Sequence, residues 1–282
     1  MKIFTNNILK IRGENMKEKV DLSGVTETML VPLYSRALEA ERKNPQFIDE
    51  TAVKVMDSLD YDFKKKFKDS TNKMNFWGCC ARTVIIDDFA KDFIQKNPDC
   101  SVVNIGCGLD DRFSRVDNGR IAWYNIDLPE VMNLREKLIE KNDRIVNISV
   151  SVFDYSWMEL VENKENLLVI AEGVLMYLEK DDVSQLFSKI SDEFGNVELV
   201  LELMAEWMVE NQKVHDTVRS TGAVFKWGVK ESRDFESDIP DYKLVEDMNL
   251  TEGMKRYSPL FIRIVSPFLK PRNNRIARFK KR

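Results

Sequence analysis

"VVNIGCGLDDRFSRVDNGRIAWYNIDLPEV", residues 102–131, opens as a β-branched apolar run, breaks at Gly106 and Gly108, and recovers into a second apolar run ending at Asp127. Read locally, this is strand, glycine turn, short helix, strand. Two glycines one residue apart let the backbone turn tightly and approach a ligand with no side chain between. Asp127 stands 21 positions after Gly106. That spacing sets a carboxylate beside the turn, where it can accept both hydroxyl protons of a ribose. A dinucleotide site would add a third glycine for close helix packing above a pyrophosphate. Here Asp110 and Asp111 occupy that region, and two carboxylates at a helix mouth disfavour a pyrophosphate. They suit a nucleoside that carries a cation, and S-adenosylmethionine, with its ribose and sulfonium, is such a ligand.

On the carboxyl side of the motif, "RIVNISVSV", "NLLVIA" and "VELVLEL" are further strand candidates, with helices expected over 129–141 and 180–194. Strands separated by helical stretches imply right-handed crossovers and a parallel sheet covered on both faces. On the amino side the texture is helical. Apolar spacing in "GVTETMLVPLYSRALEAERK" predicts a helix over 24–43, a second covers 49–59, and a third over 78–96 stops ahead of Pro98. The fold class expected is therefore α/β, with a doubly covered sheet and a helical cap from residues 1–97 on a nucleoside-binding domain from 98–282. Residues 204–242 read as a helix followed by a loop segment suited to a lid inserted in that domain. The end of the chain offers a strand over 243–248, a helix near 251–269 and a basic strand over 274–281.

The 282-residue chain is 43% hydrophobic and 32% charged, an ordinary globular composition. No run of about 18 apolar residues is present, so no membrane partner is expected, and the amino terminus lacks the pattern of a secretory signal. Cys79, Cys80, Cys100 and Cys107 have no paired zinc spacing and the chain has a single histidine. No metal site is expected, and the thiols read as reduced and cytoplasmic. The net charge is −4, which gives no reason to expect nucleic acid as a partner. The exception is "KPRNNRIARFKKR", residues 270–282, with seven basic residues and no acid. We read it as a terminal strand whose lysines and arginines project into solvent rather than as a polyanion-binding arm.

Several ordered motifs together resemble the leucine carboxyl methyltransferase family. "NIGCGLDDRFSR" followed by "YNIDLPEV" follows its G-x-G-x-D-[ST]-R and D-x-P-E-V patterns. "LYSRALEAER", "ARTVIIDDF", "SVFDYSW", "AEGVLMYL" and "FKWGV" resemble its bacterial branch, which includes polyketide O-methyltransferases. The resemblance implies a Rossmann-like class I methyltransferase sheet and S-adenosylmethionine as cofactor. It implies that Arg82 pairs with the methionyl carboxylate, that Gly106 and Gly108 form the turn and that Asp127 holds the ribose. It further implies that Asp154 accepts from the adenine amino group and that Glu172 lies near the ligand's ammonium. Asp111 departs from the family's Ser or Thr, which leaves the role of that position open.

Each assignment has a structural rival. Arg82 could pair with Asp87 or Asp88, Asp154 could cap the turn beginning "YSWMEL", and Asp110 with Arg112 could be an ion pair that holds the loop. Tyr177 could pack or border a substrate, and we place it as a substrate-side residue. Glu172, at the end of an apolar strand, would be costly to bury without a partner. His215, in a polar stretch, is a poor candidate for a catalytic base, and no catalytic residue is assigned. A carboxylate acceptor, with a pKa of about 4, is already ionised at neutral pH, whereas a phenol at about 10 usually benefits from a base. Scarcity of bases leans toward methylation of a small-molecule carboxyl group, with a hydroxyl as the other possibility. The competing functions are a noncatalytic S-adenosylmethionine-binding module and a nicotinamide-dependent oxidoreductase.

Overall fold

The computed structural model describes residues 17–19, 26–67, 74–214, 218 and 222–282. Its centre is a seven-stranded sheet. We number its strands β1 Ser101–Ile105, β2 Ala122–Asp127, β3 Ile145–Ser149, β4 Asn166–Ala171, β5 Asn196–Leu203, β6 Tyr242–Asn249 and β7 Arg275–Lys281. In space the order is β3-β2-β1-β4-β5-β7-β6, parallel from β3 to β5, with β7 antiparallel between β5 and β6. Chain order reverses between β1 and β4, so the strands' carboxyl ends open a crevice there. A short parallel ladder also joins Glu18–Lys19 to Leu59–Asp60. The α/β class is the one the strand and helix spacing predicts.

All five residues of β1 are buried, as a strand covered on both faces requires. Val103 and Ile105 pack with Val169, Leu199 and Leu201 against helix Lys180–Glu193, through Leu186, Phe187 and Ile190. On the other face Val102 packs with Leu168, Ile170 and Val200 against helix Met74–Lys96, through Ile86, Phe89, Ala90 and Phe93. That 23-residue helix carries Arg82. Helix Leu250–Tyr257 lies closely against it, since a Cβ on Gly253 would meet Ala81 Cβ at 2.8 Å.

The expected helix over 24–43 is a 3-10 turn, Thr26–Met29, leading into helix Leu30–Ala40. The next helix, Glu50–Ser58, is capped by Asp49, which accepts from Ala52 N–H at 2.8 Å. These two helices and Phe63 share a small apolar core with Leu109 and Leu134. The amino-terminal helices therefore sit on the glycine turn itself. Arg36 fastens them by donating to Leu109 O at 3.0 Å.

Two expectations need correction at the carboxyl end. The helix near 251–269 is broken into Leu250–Tyr257, Leu260–Val265 and a 3-10 turn Ser266–Arg272, because Pro259 and Pro267 cannot continue a helical hydrogen-bond ladder. The basic segment projects only part of its charge into solvent: Lys270, Arg272, Lys280 and Arg282 are exposed, whereas Arg275, Arg278 and Lys281 are held within the fold. As β7 it is an internal strand, with Ile276, Ala277 and Phe279 buried. Arg278 pairs with Glu198 at 2.5 Å and Asp92 at 2.6 Å, and Arg275 pairs with Asp247. Lys281 donates to the carbonyls of Ser191 and Phe194 at 2.6 and 2.7 Å.

Candidate functional site

Gly106 and Gly108 both hold positive φ, +61° and +51°. This conformation strongly disfavours a β-carbon. A Cβ on Gly106 would also strike the Val174 side chain at 2.7 Å, so this turn is cut to fit the segment that follows β4. The end of β2 closes it. Asp127 Oδ2 accepts from Gly108 N–H at 2.8 Å and Oδ1 accepts from Leu128 N–H at 2.8 Å. Burial raises the Asp127 carboxyl above its ordinary value, and the two backbone donors partly offset the rise. Each carboxylate oxygen keeps a second lone pair.

Above the turn lies an open cavity lined by the amino-terminal helices, the glycine turn and the ends of β4 and β5. Of the residues singled out from sequence, Arg82, Gly106, Glu172 and Tyr177 line it, while Gly108, Asp127 and Asp154 do not. Asp154 accepts from Ser156 N–H at 3.2 Å and caps the 3-10 turn Tyr155–Leu160, the structural alternative considered for it. His215 lies outside the described residues.

Arg82 is not engaged by Asp87 or Asp88. Its Nη1 donates to Glu202 Oε2 at 2.7 Å, and its Nε lies 2.8 Å from Glu172 Oε1. That second approach is out of line, so the Nε–H lacks an acceptor although the atom is buried. The side-chain nitrogen of Asn104, on β1 and also lining the cavity, is likewise buried without a partner among the described residues. Orphaned buried donors are rare in folded proteins, and an acceptor supplied by a bound ligand is one way to satisfy them. Two of them beside one cavity fit a carboxylate, which the methionyl end of S-adenosylmethionine carries. Burial opposes the Arg82 charge, but Glu172 and Glu202 outweigh it and hold the guanidinium protonated.

Glu172 is held from its other side by Arg112, whose Nη2 donates at 2.5 Å. Burial would raise its carboxyl, yet Arg82 and Arg112 hold it below the ordinary range. Arg112 also binds Asp110 at 2.6 Å and Asp87 at 2.7 Å. Arg115 spans Asp87 at 2.7 Å and Asp49 at 2.8 Å, and Asp49 takes Arg36 at 2.9 Å. One continuous chain of ion pairs thus runs from the amino-terminal helices, under the glycine turn, to the ends of β4 and β5. The Asp110–Arg112 pair is present as expected.

This network corrects the argument from charge repulsion at the helix mouth. Asp110 is matched by Arg112, Arg115 at 3.3 Å and Arg36 at 3.9 Å, and against its burial these hold its carboxyl far below the usual range. Asp111 accepts from Thr51 Oγ1 at 2.7 Å and is raised by burial. It stitches the second amino-terminal helix to the loop, a structural task for the position whose role was open.

Glu202 and Asn104 are cavity residues that the sequence reading missed, and Glu202 is the more heavily engaged of the two. It is 1% exposed. Besides Arg82, it accepts from Gly173 N–H at 2.9 Å and from Asn274 Nδ2 at 2.7 Å. The signal was available: Glu198 and Glu202 interrupt an otherwise apolar strand at positions of equal parity, so both share one buried face. The acids that line the cavity, Asp110, Glu172 and Glu202, are each held by an arginine, and no histidine among the described residues lines it. Burial pushes Tyr177 up to about 12, and it does the same to Cys107. Among the described residues no cluster of acids, cysteines or histidine could hold a metal ion.

Comparison with known proteins agrees with this geometry. The pattern of the family described as leucine carboxyl methyltransferase matches residues 30–191. The chain is 30% identical over 239 residues to the tetracenomycin polyketide synthesis O-methyltransferase TcmP of Streptomyces glaucescens, covering 84% of this chain and 87% of that protein. It is 26% identical over 252 residues to the S-adenosyl-L-methionine-dependent methyltransferase dpfgK of Gibberella zeae, covering 82% and 84%. Among solved structures, a candidate methyltransferase from Thermobifida fusca shares the fold with a TM-score of 0.61 at 13% identity, over 92% of this chain and 95% of that one. Magnesium protoporphyrin IX methyltransferase from Synechocystis, with bound S-adenosylhomocysteine, aligns with a TM-score of 0.50 at 10% identity, over 78% and 92%.

Proposed function

The chain belongs to the leucine carboxyl methyltransferase family and is an S-adenosylmethionine-dependent methyltransferase; from that premise we propose that it methylates an oxygen, that of a carboxyl group on a small-molecule acceptor. The observation that carries the reading is the cavity over the glycine turn. It is lined by Arg82 and by Asn104, whose buried side-chain nitrogen has no partner among the described residues, and its acids Asp110, Glu172 and Glu202 are each already paired with an arginine.

In this reading Arg82 and Asn104 receive the methionyl carboxylate, and Glu172 faces the ammonium. Gly106 and Gly108 keep the floor free of side chains. Asp127 accepts the ribose hydroxyls through the lone pairs left by its two backbone donors. Asp154 keeps its cap on the 3-10 turn and takes no part in this reading. When bound, the cofactor supplies an electrophilic methyl group on a positively charged sulfur.

The protein's own tasks are then to align the acceptor oxygen behind that methyl group and to exclude water. Met176, Met204, Met208 and Phe225 give the cavity an apolar wall on the acceptor side. Tyr177 borders that wall, its ring 5.5 Å from Phe225. With its phenol raised to about 12, it stays protonated at neutral pH and acts as a hydrogen-bond donor. A carboxylate acceptor already carries its nucleophilic lone pair, so no proton needs to move. The described helices between residues 26 and 96 and the described part of 204–228 cap this site, while Val229, Phe235 and Ile239 of the expected lid belong to the main core.

The test is transfer of label from methyl-tritiated S-adenosylmethionine to a panel of aromatic and aliphatic acids and phenols, followed by mild alkali. Carboxyl methyl esters release labelled methanol and aryl methyl ethers retain it. Alkali-labile product supports the reading, and exclusively alkali-stable product contradicts it.

A further inference from the structure

The segment Lys270–Asn274 enters β7 along the rim of the cavity, which Arg272, Asn273 and Asn274 line. It is clamped from both sides. Asn249 Nδ2 donates to Lys270 O at 3.0 Å and to Asn273 O at 3.2 Å. Asn273 donates to Thr251 Oγ1 at 2.9 Å, and Asn274 to Glu202 Oε1 at 2.7 Å. Arg272 stands in the middle of this clamp, with its guanidinium carbon 4.7 Å from the centre of the Trp207 ring. Stacking of this kind fixes the plane of the fork and leaves its N–H edge free to donate.

What distinguishes Arg272 is the partner it lacks. The other two arginines lining the cavity are matched, Arg36 by Asp49 at 2.9 Å and Arg82 by Glu202 at 2.7 Å. Among the described residues no carboxylate pairs with Arg272, and no acidic residue occurs anywhere from 253 to 282. A preorganised, unpaired cation at the rim therefore faces a cavity whose wall is thioether and aromatic, built from Met176, Met204, Met208 and Phe225. A planar fork of donors matches a carboxylate or similar oxyanion in two places at once. Methionine walls adapt to apolar bodies of varied shape.

We propose that Arg272, pinned over Trp207, is the anion-recognition residue of the acceptor site, and that the acceptor is an apolar molecule bearing an anionic oxygen group. This rests on the methyl-donor reading of the same cavity. The experiment titrates protein saturated with S-adenosylhomocysteine with 2-naphthoate and with its neutral counterpart 2-naphthamide, by calorimetry, for the wild type, Arg272→Gln and Arg272→Lys. The wild type should bind the carboxylate about ten-fold more tightly than the amide. Arg272→Gln should bring the two within two-fold, and Arg272→Lys should keep only part of the preference. S-adenosylhomocysteine affinity should stay within two-fold throughout, which verifies the fold of each variant. Equal wild-type affinity for acid and amide, a preference that survives Arg272→Gln, or no detectable binding of the acid at about millimolar concentration each overturns the assignment. Failure of the wild type to bind S-adenosylhomocysteine would instead remove the donor reading beneath it.

Discussion

The backbone N–H of Gly108 donates to Asp127 Oδ2 at 2.8 Å and draws the glycine turn after β1 onto the carboxyl end of β2. These residues are 19 positions apart in the chain and neighbours in space only because β1 and β2 pair in parallel register, Ile105 beside Ile126. The carboxylate is thereby oriented before any ligand arrives, with its remaining lone pairs beside the turn.

Replacing Gly106 tests the cradle. A β-carbon there meets Val174 at 2.7 Å and sits at a φ of +61°. Gly106→Ala should cost about 1–3 kcal/mol through backbone strain, with a further loss from the contact and weaker donor binding. Adding Val174→Ala should recover the contact component and leave the strain. Urea unfolding of the wild type, Gly106→Ala, Val174→Ala and the double variant reads the two contributions separately.

The buried ion-pair chain should be brittle. Arg112 is fully buried and holds Asp87, Asp110 and Glu172 together. Arg112→Met leaves three acids partly uncompensated and should destabilise by about 3–5 kcal/mol, read in chemical denaturation. Because Asp110 and Glu172 are held below their ordinary values, their contribution is complete above the unfolded carboxylate range of about 4 and is lost as pH falls through the folded values. Wild-type stability should therefore drop in acid, and the variant should drop less.

Arg82→Lys keeps a charge and removes the fork. It should raise the KM for S-adenosylmethionine about ten-fold or more, with a small effect on the KM for the acceptor, in initial-rate kinetics with either substrate varied. An equal rise in both would place Arg82 outside the donor site.

Tyr177 titrates near 12, so it contributes no ionisation between about pH 6 and 9. With a carboxylic acid acceptor, kcat should be flat across that window, and Tyr177→Phe should raise the acceptor KM while leaving the profile flat. A rising limb that disappears in Tyr177→Phe would assign the phenol a proton-transfer role.

How much of this was legible follows from where the determining partners lie. The turn, its strands and Asp127 lie within some twenty residues of one another, and each is dictated by local chemistry: β-branched runs, glycines at positive φ, an acid at a strand end. The ion-pair chain was legible only as the Asp110–Arg112 pair, because its other members come from elements distant in sequence. Arg82 and Glu202 are 120 positions apart. β7 misled for the same reason. A terminal run of lysines and arginines reads as solvated surface until Glu198, 80 residues earlier, is found beside Arg278. Asp154 shows the opposite case, since its local capping geometry was readable from "DYSW" and nothing in the fold brings its carboxylate into the cavity lining.

The most direct measurement is calorimetric titration of S-adenosylhomocysteine into the wild type, Asp127→Asn and Asp127→Ala, with circular dichroism to verify folding. Loss of two charge-assisted hydrogen bonds to a ribose, at about 1.5 kcal/mol each, predicts a fall of roughly a hundred-fold in affinity for Asp127→Ala and a smaller one for Asp127→Asn. Unchanged affinity in a folded Asp127→Ala variant would contradict the account.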